Sequence, residues 1–203
     1  MYNLKKGLNI PISGSPEGTV SDSTKISHVG ILGPDYIGMK PTMMVEVGDQ
    51  VKIGSVLFED KKNPGVFFTS PAGGLIKSIN RGEKRRFISI EIEVADQENQ
   101  VEILNDSDEI LLKNLSKYGV INNFRTRPFN KTPKLNDIPN DIFVNVCDTN
   151  PLSVDPYIYL QHEIDLFNRS LMKLKEIFNC NIHVCYQNND CLLYTSDAAD
   201  DTC

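Results

Sequence analysis

Phe87 to Val94 reads FISIEIEV, and its apolar residues alternate strictly with polar ones. A period of two puts Ile88, Ile90, Ile92 and Val94 on one face of a strand and Ser89, Glu91 and Glu93 on the other. A strand with one apolar face needs a second layer to cover it, so the surrounding chain has to supply one. Between residues 25 and 98 it offers HVGIL, MMVEV, VLFED, VFFTS and GLIKSI, short runs rich in β-branched and aromatic residues and separated by Gly, Pro and Asp. Runs of that length with that punctuation predict strands and tight turns, hence a small β-sandwich. Val47-Gly48-Asp49 and Arg81-Gly82-Glu83 echo each other, each ahead of an apolar strand. A glycine at each turn is expected to supply positive φ, and the two halves to be related by a pseudo-twofold.

VEVGDQVKIGSVLFE followed by SPAGGLIKSI resembles the barrel-sandwich hybrid fold of lipoyl and biotinyl domains. Such domains display a modified lysine at a hairpin tip, and Asp60-Lys61 imitates the lipoyl Asp-Lys pair. Lys62-Asn63-Pro64-Gly65 then lengthens the hairpin, and the neighbour of Lys61 is Lys where a biotinyl domain has Met. Lys61 and Lys62 are therefore expected to be solvated loop charges that protect an edge from aggregation. A prosthetic group on either lysine is the alternative.

Composition narrows the function classes. The 203 residues carry a formal charge of −6, and the densest basic run is RGEKRR, Arg81 to Arg86. An isolated run of that kind reads as a solvated turn and does not track a nucleic-acid backbone. No apolar run approaches the ~18 residues a membrane helix needs. MYNLKKGLNIPI shows no apolar core of a leader, and a cytoplasmic protein is expected. The five Cys stand at 147, 180, 185, 191 and 203, with none in the first 146 residues, so no disulfide framework is expected. Cys180, His183 and Cys185 lack the CxxC spacing of a zinc or iron–sulfur site, and we expect no metal. SGSPEG, in the first twenty residues, lacks the Lys-Ser/Thr of a phosphate loop.

From residue 106 the pattern changes. Asp106-Ser107-Asp108-Glu109 has the form of a capping box, Leu111, Leu115 and Tyr118 form an apolar stripe, and Gly119 is a plausible stop. A polar loop, GVINNFRTRPFNKTPKL, leads to IFVNVCD, whose Ile142 to Val146 predicts a central strand. Asp155 as cap and Pro156 in the first turn open a helix with Ile164, Phe167, Leu171 and Leu174 on one face. NIHVCYQ supplies the next strand. Strand, helix, strand predicts a parallel βαβ unit, with Asp148 to Leu152 at the carboxyl end of its first strand, where open α/β sheets bind ligands.

GVINNFRTRPFNKTP, FVNVCDTNPLSVDP, GMKPTMMVEVGDQVKIGSVLFEDKKNPGVFFTSPAGG and INRGEKR together resemble the A-subunit family of the Na+-translocating NADH:quinone reductases, from about Lys5 to Val184. The resemblance implies an α+β, multi-domain chain, an N-terminal barrel-sandwich hybrid followed by a truncated Rossmann-like α/β domain. It implies a peripheral subunit on the cytoplasmic side of a bacterial inner membrane, contacting the other subunits of the reductase and ubiquinone. NADH, FAD, FMN and iron–sulfur centres belong to that complex and none to this chain, which carries no catalytic residue of its own. The family is similar to the flavin-binding subunit of complex I and to the C-subunit of the Rnf complex. Where those place a Gly-rich loop, this chain has Asn122 to Phe129 without a glycine, and their acidic turn reads Thr149-Asn150-Pro151 here. The scaffold is expected to persist without the flavin site.

Arg125 and Arg127, with Asp148 and Asn150, are the candidate contacts for a quinone head group or a neighbouring subunit. The competing reading pairs the arginines with Asp148 or Asp155 in salt bridges. The domain scheme is residues 1–24 as an N-terminal segment, 25–104 as the hybrid domain and 105–190 as the partial α/β domain. CLLYTSDAADDTC, residues 191–203, resembles a reading frame of a sequencing-library adapter and is set aside as an artefact. Without its Asp197, Asp200 and Asp201 the charge becomes −3. Two rivals remain: a carrier module shuttling an acyl or carboxyl group on Lys61 or Lys62, and a Rnf-type electron-transfer subunit.

Overall fold

The computed structural model describes residues 12–14, 16–20, 25–95, 111–148 and 150–186, with the side chains of 111–113 excepted. The expected capping box at 106–109 and the tail after 190 lie outside the described residues. The chain forms two compact units, one of residues 24–137 and one of residues 1–23 with 138–203.

The first unit holds two antiparallel sheets. Strands β1 (His28–Leu32), β3 (Gln50–Val51), β6 (Gly74–Arg81) and β7 (Phe87–Val94) form one, in the order β1-β7-β6-β3. Strands β2 (Pro41–Met43), β4 (Val56–Asp60) and β5 (Phe67–Thr69) form the other, in the order β2-β4-β5. Leu57, Phe58, Val66, Ile76, Ile90 and Ile92 are wholly buried and make the core. Phe58 stacks on Phe68 at 4.6 Å and meets the edge of Phe87 at 5.2 Å. Such pairs add about 0.5–1.5 kcal/mol beyond their buried area.

The alternation of FISIEIEV holds for Ile90 and Ile92 and fails at its start. Phe87 is buried, and Ile88 is 38% exposed. The cause is a register shift in the β6–β7 ladder: Asn80 faces Ser89, but Arg81 faces Phe87. One extra residue in β7 turns Ile88 outward and brings Phe87 in. The two Gly-acid turns also differ. Gly48 takes φ +97°, as expected, but Gly82 is extended at φ −96°. At the second turn the left-handed residues are Lys84 (φ 53°) and Arg85 (φ 61°).

Helix α1 (Leu111–Lys117), a 3₁₀ turn Val120–Asn123 and the following loop belong to this same unit, past the boundary drawn at 104/105. Gly119 separates helix from turn at φ +72°, and a Cβ there would lie 2.5 Å from Thr69 Oγ1. Left-handed backbone and close approach both require glycine at that stop.

In the second unit β8 (Asp141–Asn145) pairs in parallel with β9 (Asn181–Cys185), as the βαβ reading predicts. The connecting helix is broken in two: α2 (Tyr157–Leu160) and α3 (Ile164–Phe178). Asp155 Oδ1 accepts from Tyr157 N at 2.9 Å and so caps α2. Ile164, Phe167, Leu171 and Leu174 are the half-buried stripe of α3, which ends in the buried Phe178. The N-terminal residues join this unit: a Cβ at Gly18 would lie 3.9 Å from Ile158.

Candidate functional site

Strand β5 is the last strand of its sheet, so its outer carbonyls need partners from outside the ladder. Helix α1 and the turn after it provide them. Ser116 Oγ donates to the carbonyl of Gly65, and Asn122 Nδ2 donates to the carbonyl of Phe67 at 2.6 Å. In return Thr69 Oγ1 donates to the carbonyl of Tyr118 at 3.2 Å. Ser116 and Asn122 are 2% and 6% exposed, so these bonds form away from water.

The same junction encloses a cleft of about 370 Å³. Gly30 to Leu32 of β1, Tyr36, Phe68 to Pro71 and Tyr118 to Asn123 contribute to its walls. Tyr36 meets Phe68 edge-on at 4.7 Å, giving an aromatic wall. Tyr118 Oη and Asn122 Oδ1 are buried with no hydrogen-bond partner in the protein, so both retain bonding capacity beside the cleft.

Arg125 stands next to this wall, its guanidinium 5.0 Å from the Tyr36 ring. Its Nη1 donates to the carbonyls of Asn122 and Phe124. Arg125 thus fixes the end of the 3₁₀ turn and lays a cation over an aromatic face. Arg127 is exposed in the loop beyond, and Thr126 in that loop bridges to Lys131. Both arginines belong to the first unit. Asp148 and Asn150 belong to the second, where Asp148 Oδ1 accepts from Asn150 N at 2.9 Å and from Asn150 Nδ2 at 2.6 Å. The acidic-turn position is therefore a self-contained Asx turn.

Lys61 and Lys62 follow a buried carboxylate. Asp60 is 3% exposed; its Oδ1 accepts from Lys40 N and Lys62 N at 3.0 Å each, and its Oδ2 accepts from Asn63 Nδ2 at 3.0 Å. Lys62 Nζ donates to the carbonyl of Gly38 at 2.7 Å, and Lys61 N to the carbonyl of Lys40 at 2.8 Å. Gly65 is held on both sides, its N–H on Glu59 Oε1 at 2.6 Å and its carbonyl on Ser116. The hairpin is strapped into the unit, unlike the free tip a modifying ligase needs.

In the second unit His183 Nε2 lies 2.8 Å from Asp141 Oδ1, and its ring stacks on Phe143 at 4.7 Å. That hydrogen bond, then one from Asn181, holds the Asp141 carboxyl below its usual 3.8. Burial pushes the Cys180 thiol up, with Asp141 adding to the rise. Among the described residues no cluster of His, Cys, Asp or Glu is arranged to hold a metal ion.

Sequence reasoning picked out Arg125 and missed Tyr36, Tyr118 and Asn122. Asn122 sits three residues after the glycine stop, and that position gave the one available hint: a polar side chain there returns over the preceding turn.

Comparison with known proteins agrees with the fold. Residues 2–95 match the NqrA N-terminal barrel-sandwich hybrid domain, and residues 106–200 match the NqrA second alpha/beta domain. These segments meet near the 104/105 boundary drawn from sequence; the second reaches into the tail set aside there, and both contribute walls to the cleft. The chain is 46% identical over 193 residues to the A-subunit of the Na(+)-translocating NADH-quinone reductase of Yersinia pseudotuberculosis, covering 92% of this chain and 43% of that protein. The corresponding protein of Neisseria meningitidis is 46% identical over 192 residues, 91% of this chain and 43% of the relative. That of Pasteurella multocida is 43% identical over 196 residues, 93% of this chain and 44% of the relative. The chain thus spans less than half the length of these relatives. Within that span, the two domain matches and the strand-by-strand agreement of the first unit lead to one conclusion: the chain belongs to the NqrA family.

Proposed function

We propose that this chain is the N-terminal part of a peripheral subunit of a sodium-pumping NADH:ubiquinone oxidoreductase, at the cytoplasmic face of a bacterial inner membrane. It helps to form the quinone-reducing part of the complex and contacts the other subunits. The observation that supports this most is the match of both domains, in order, to one family whose named members are such subunits. No helix of the described residues is long and apolar enough to cross a membrane, in keeping with a peripheral place.

The chain's own part is scaffolding and binding. A flavin phosphate needs free backbone N–H groups at close approach. At the corresponding loop Asn122 N donates to Gly119 O, Phe124 N to Ile121 O, and Thr126 N to Lys131 O. With those donors spent and side chains on every residue, the loop does not fit a flavin phosphate. The cleft suits a planar ring better. Tyr36 and Phe68 offer apolar faces, Tyr118 Oη can donate to a carbonyl, and Arg125 places positive charge alongside. A quinone head group meets those requirements, and Arg127, Asp148 and Asn150 are left for contacts with other subunits.

The chain has no Trp and seven Tyr, so its intrinsic emission reports on tyrosine. A soluble short-chain ubiquinone analogue should quench it saturably. Tyr118→Phe keeps the ring, removes the hydroxyl and should weaken binding about threefold to tenfold. Quenching that never saturates, or that is unaltered by Tyr118→Phe, would remove the cleft as the quinone site.

A further inference from the structure

Four cations crowd the tip of the β6–β7 hairpin. Arg81, Lys84, Arg85 and Arg86 are all exposed, and the single acidic residue among them is Glu83. Among the described residues none of the four has a carboxylate partner; Arg81 Nη1 donates only to the carbonyl of Arg85. By contrast, Lys77 on the same strand is paired with Glu93 at 3.3 Å.

The backbone at the tip is unusual as well. Lys84 and Arg85 both take left-handed φ, 53° and 61°. Residues with a Cβ resist that region, and tight turns normally give it to Gly, Asn or Asp. Two consecutive long cationic residues there hold a conformation that local stability disfavours, and such outliers cluster at functional sites. Below the tip, Asn80 bonds Ser78 and Ser89, and Ser78 bonds Glu91, so a cross-strand polar ladder stiffens the stem. Ile88, turned outward by the register shift, lies beneath the cations with its Cδ1 3.0 Å from where a Gly82 Cβ would sit.

We propose that this tip is a membrane-facing contact that binds the anionic headgroups of a lipid surface. The tip is convex and has flexible side chains, without the concave arrangement that would read one acidic partner; it suits a diffuse field of phosphates. The chain as a whole is negative, at −6, so a negative surface repels most of it and attracts it here, which orients the molecule tip-down. Cations near an anionic leaflet contribute additively and are screened by salt. The presence of a membrane rests on the proposed function above; the surface chemistry does not.

The test is co-sedimentation of the full 203-residue chain with vesicles of neutral phosphatidylcholine and with vesicles that also contain phosphatidylglycerol. With a net three positive charges at the tip, partition at low salt should favour the anionic vesicles by on the order of a hundredfold. Arg81→Gln, Lys84→Gln, Arg85→Gln and Arg86→Gln together should abolish that preference, and high salt should do the same. A control that neutralises Lys40, Lys52, Lys134 and Lys175, also outside the tip, should keep most of it. Failure to bind anionic vesicles, equal binding to both kinds, or equal loss in the two variants would overturn the proposal. Because no other subunit is present, such a failure leaves membership in the complex to be judged separately by co-purification.

Discussion

Asn122 Nδ2 donates to the backbone carbonyl of Phe67 at 2.6 Å, across 55 residues of sequence. The bond closes the open edge of a lipoyl-type sandwich with a turn from the next segment of the chain. It explains why α1 and the 3₁₀ turn belong to the β unit, and it separates this chain from a free-standing carrier, whose sandwich has to manage its own edges.

Asn122→Ala should therefore cost about 1–3 kcal/mol, because it leaves a buried carbonyl without a donor. Ser116→Ala should have a similar effect through Gly65, and the double variant should be close to additive if the two contacts act independently. Thermal melts of the chain would check this. A melting temperature within a degree or so of wild type for both would mean that α1 is not part of the cooperative unit.

Asp60 organises the loop that carries Lys61 and Lys62. Asp60→Ala strands the N–H groups of Lys40 and Lys62 and the amide of Asn63, and should destabilise the unit by about 2–4 kcal/mol. Lys61→Ala, at an exposed side chain, should change stability by less than about 0.5 kcal/mol. Urea unfolding of the two variants separates a structural carboxylate from a loop whose only importance is its lysines.

The βαβ unit has a pH signature. Asp141 has a native pKa below 3.8, chiefly through the His183 hydrogen bond. A lowered native value means that the unfolded chain binds the proton more tightly. The associated stability is complete above 3.8 and is lost as pH falls through the native value, under 3.8. NMR titration of the carboxyl should show that depressed value in wild type. In His183→Phe it should rise toward 3.8; an unchanged value would assign the shift to some other group.

Much of this was legible in the sequence, for identifiable reasons. Period-two alternation places Ile90 and Ile92, and Gly48 and Gly119 stand where the backbone needs positive φ. The register shift that exchanges Phe87 for Ile88 leaves no mark in composition, because it depends on where β6 pairs. Gly82 looks like Gly48 in sequence, yet the strain falls on Lys84 and Arg85, since turn length and not residue type decides it. The break between α2 and α3 falls at Gln161 to Glu163, residues with no helix-stopping chemistry. Arg125 was noticed for its charge. Tyr36, Tyr118 and Asn122 were missed because the cleft forms only when segments nearly 90 residues apart meet.

The most direct test of the central claim is affinity purification of a tagged, full-length protein containing this chain from detergent-solubilised membranes of its host. The family assignment predicts that it co-purifies with membrane subunits and with sodium-stimulated NADH:ubiquinone reduction, and that its intact mass shows no adduct on Lys61 or Lys62. Recovery as a solitary soluble protein, with a lipoyl or biotinyl adduct on either lysine, would contradict it.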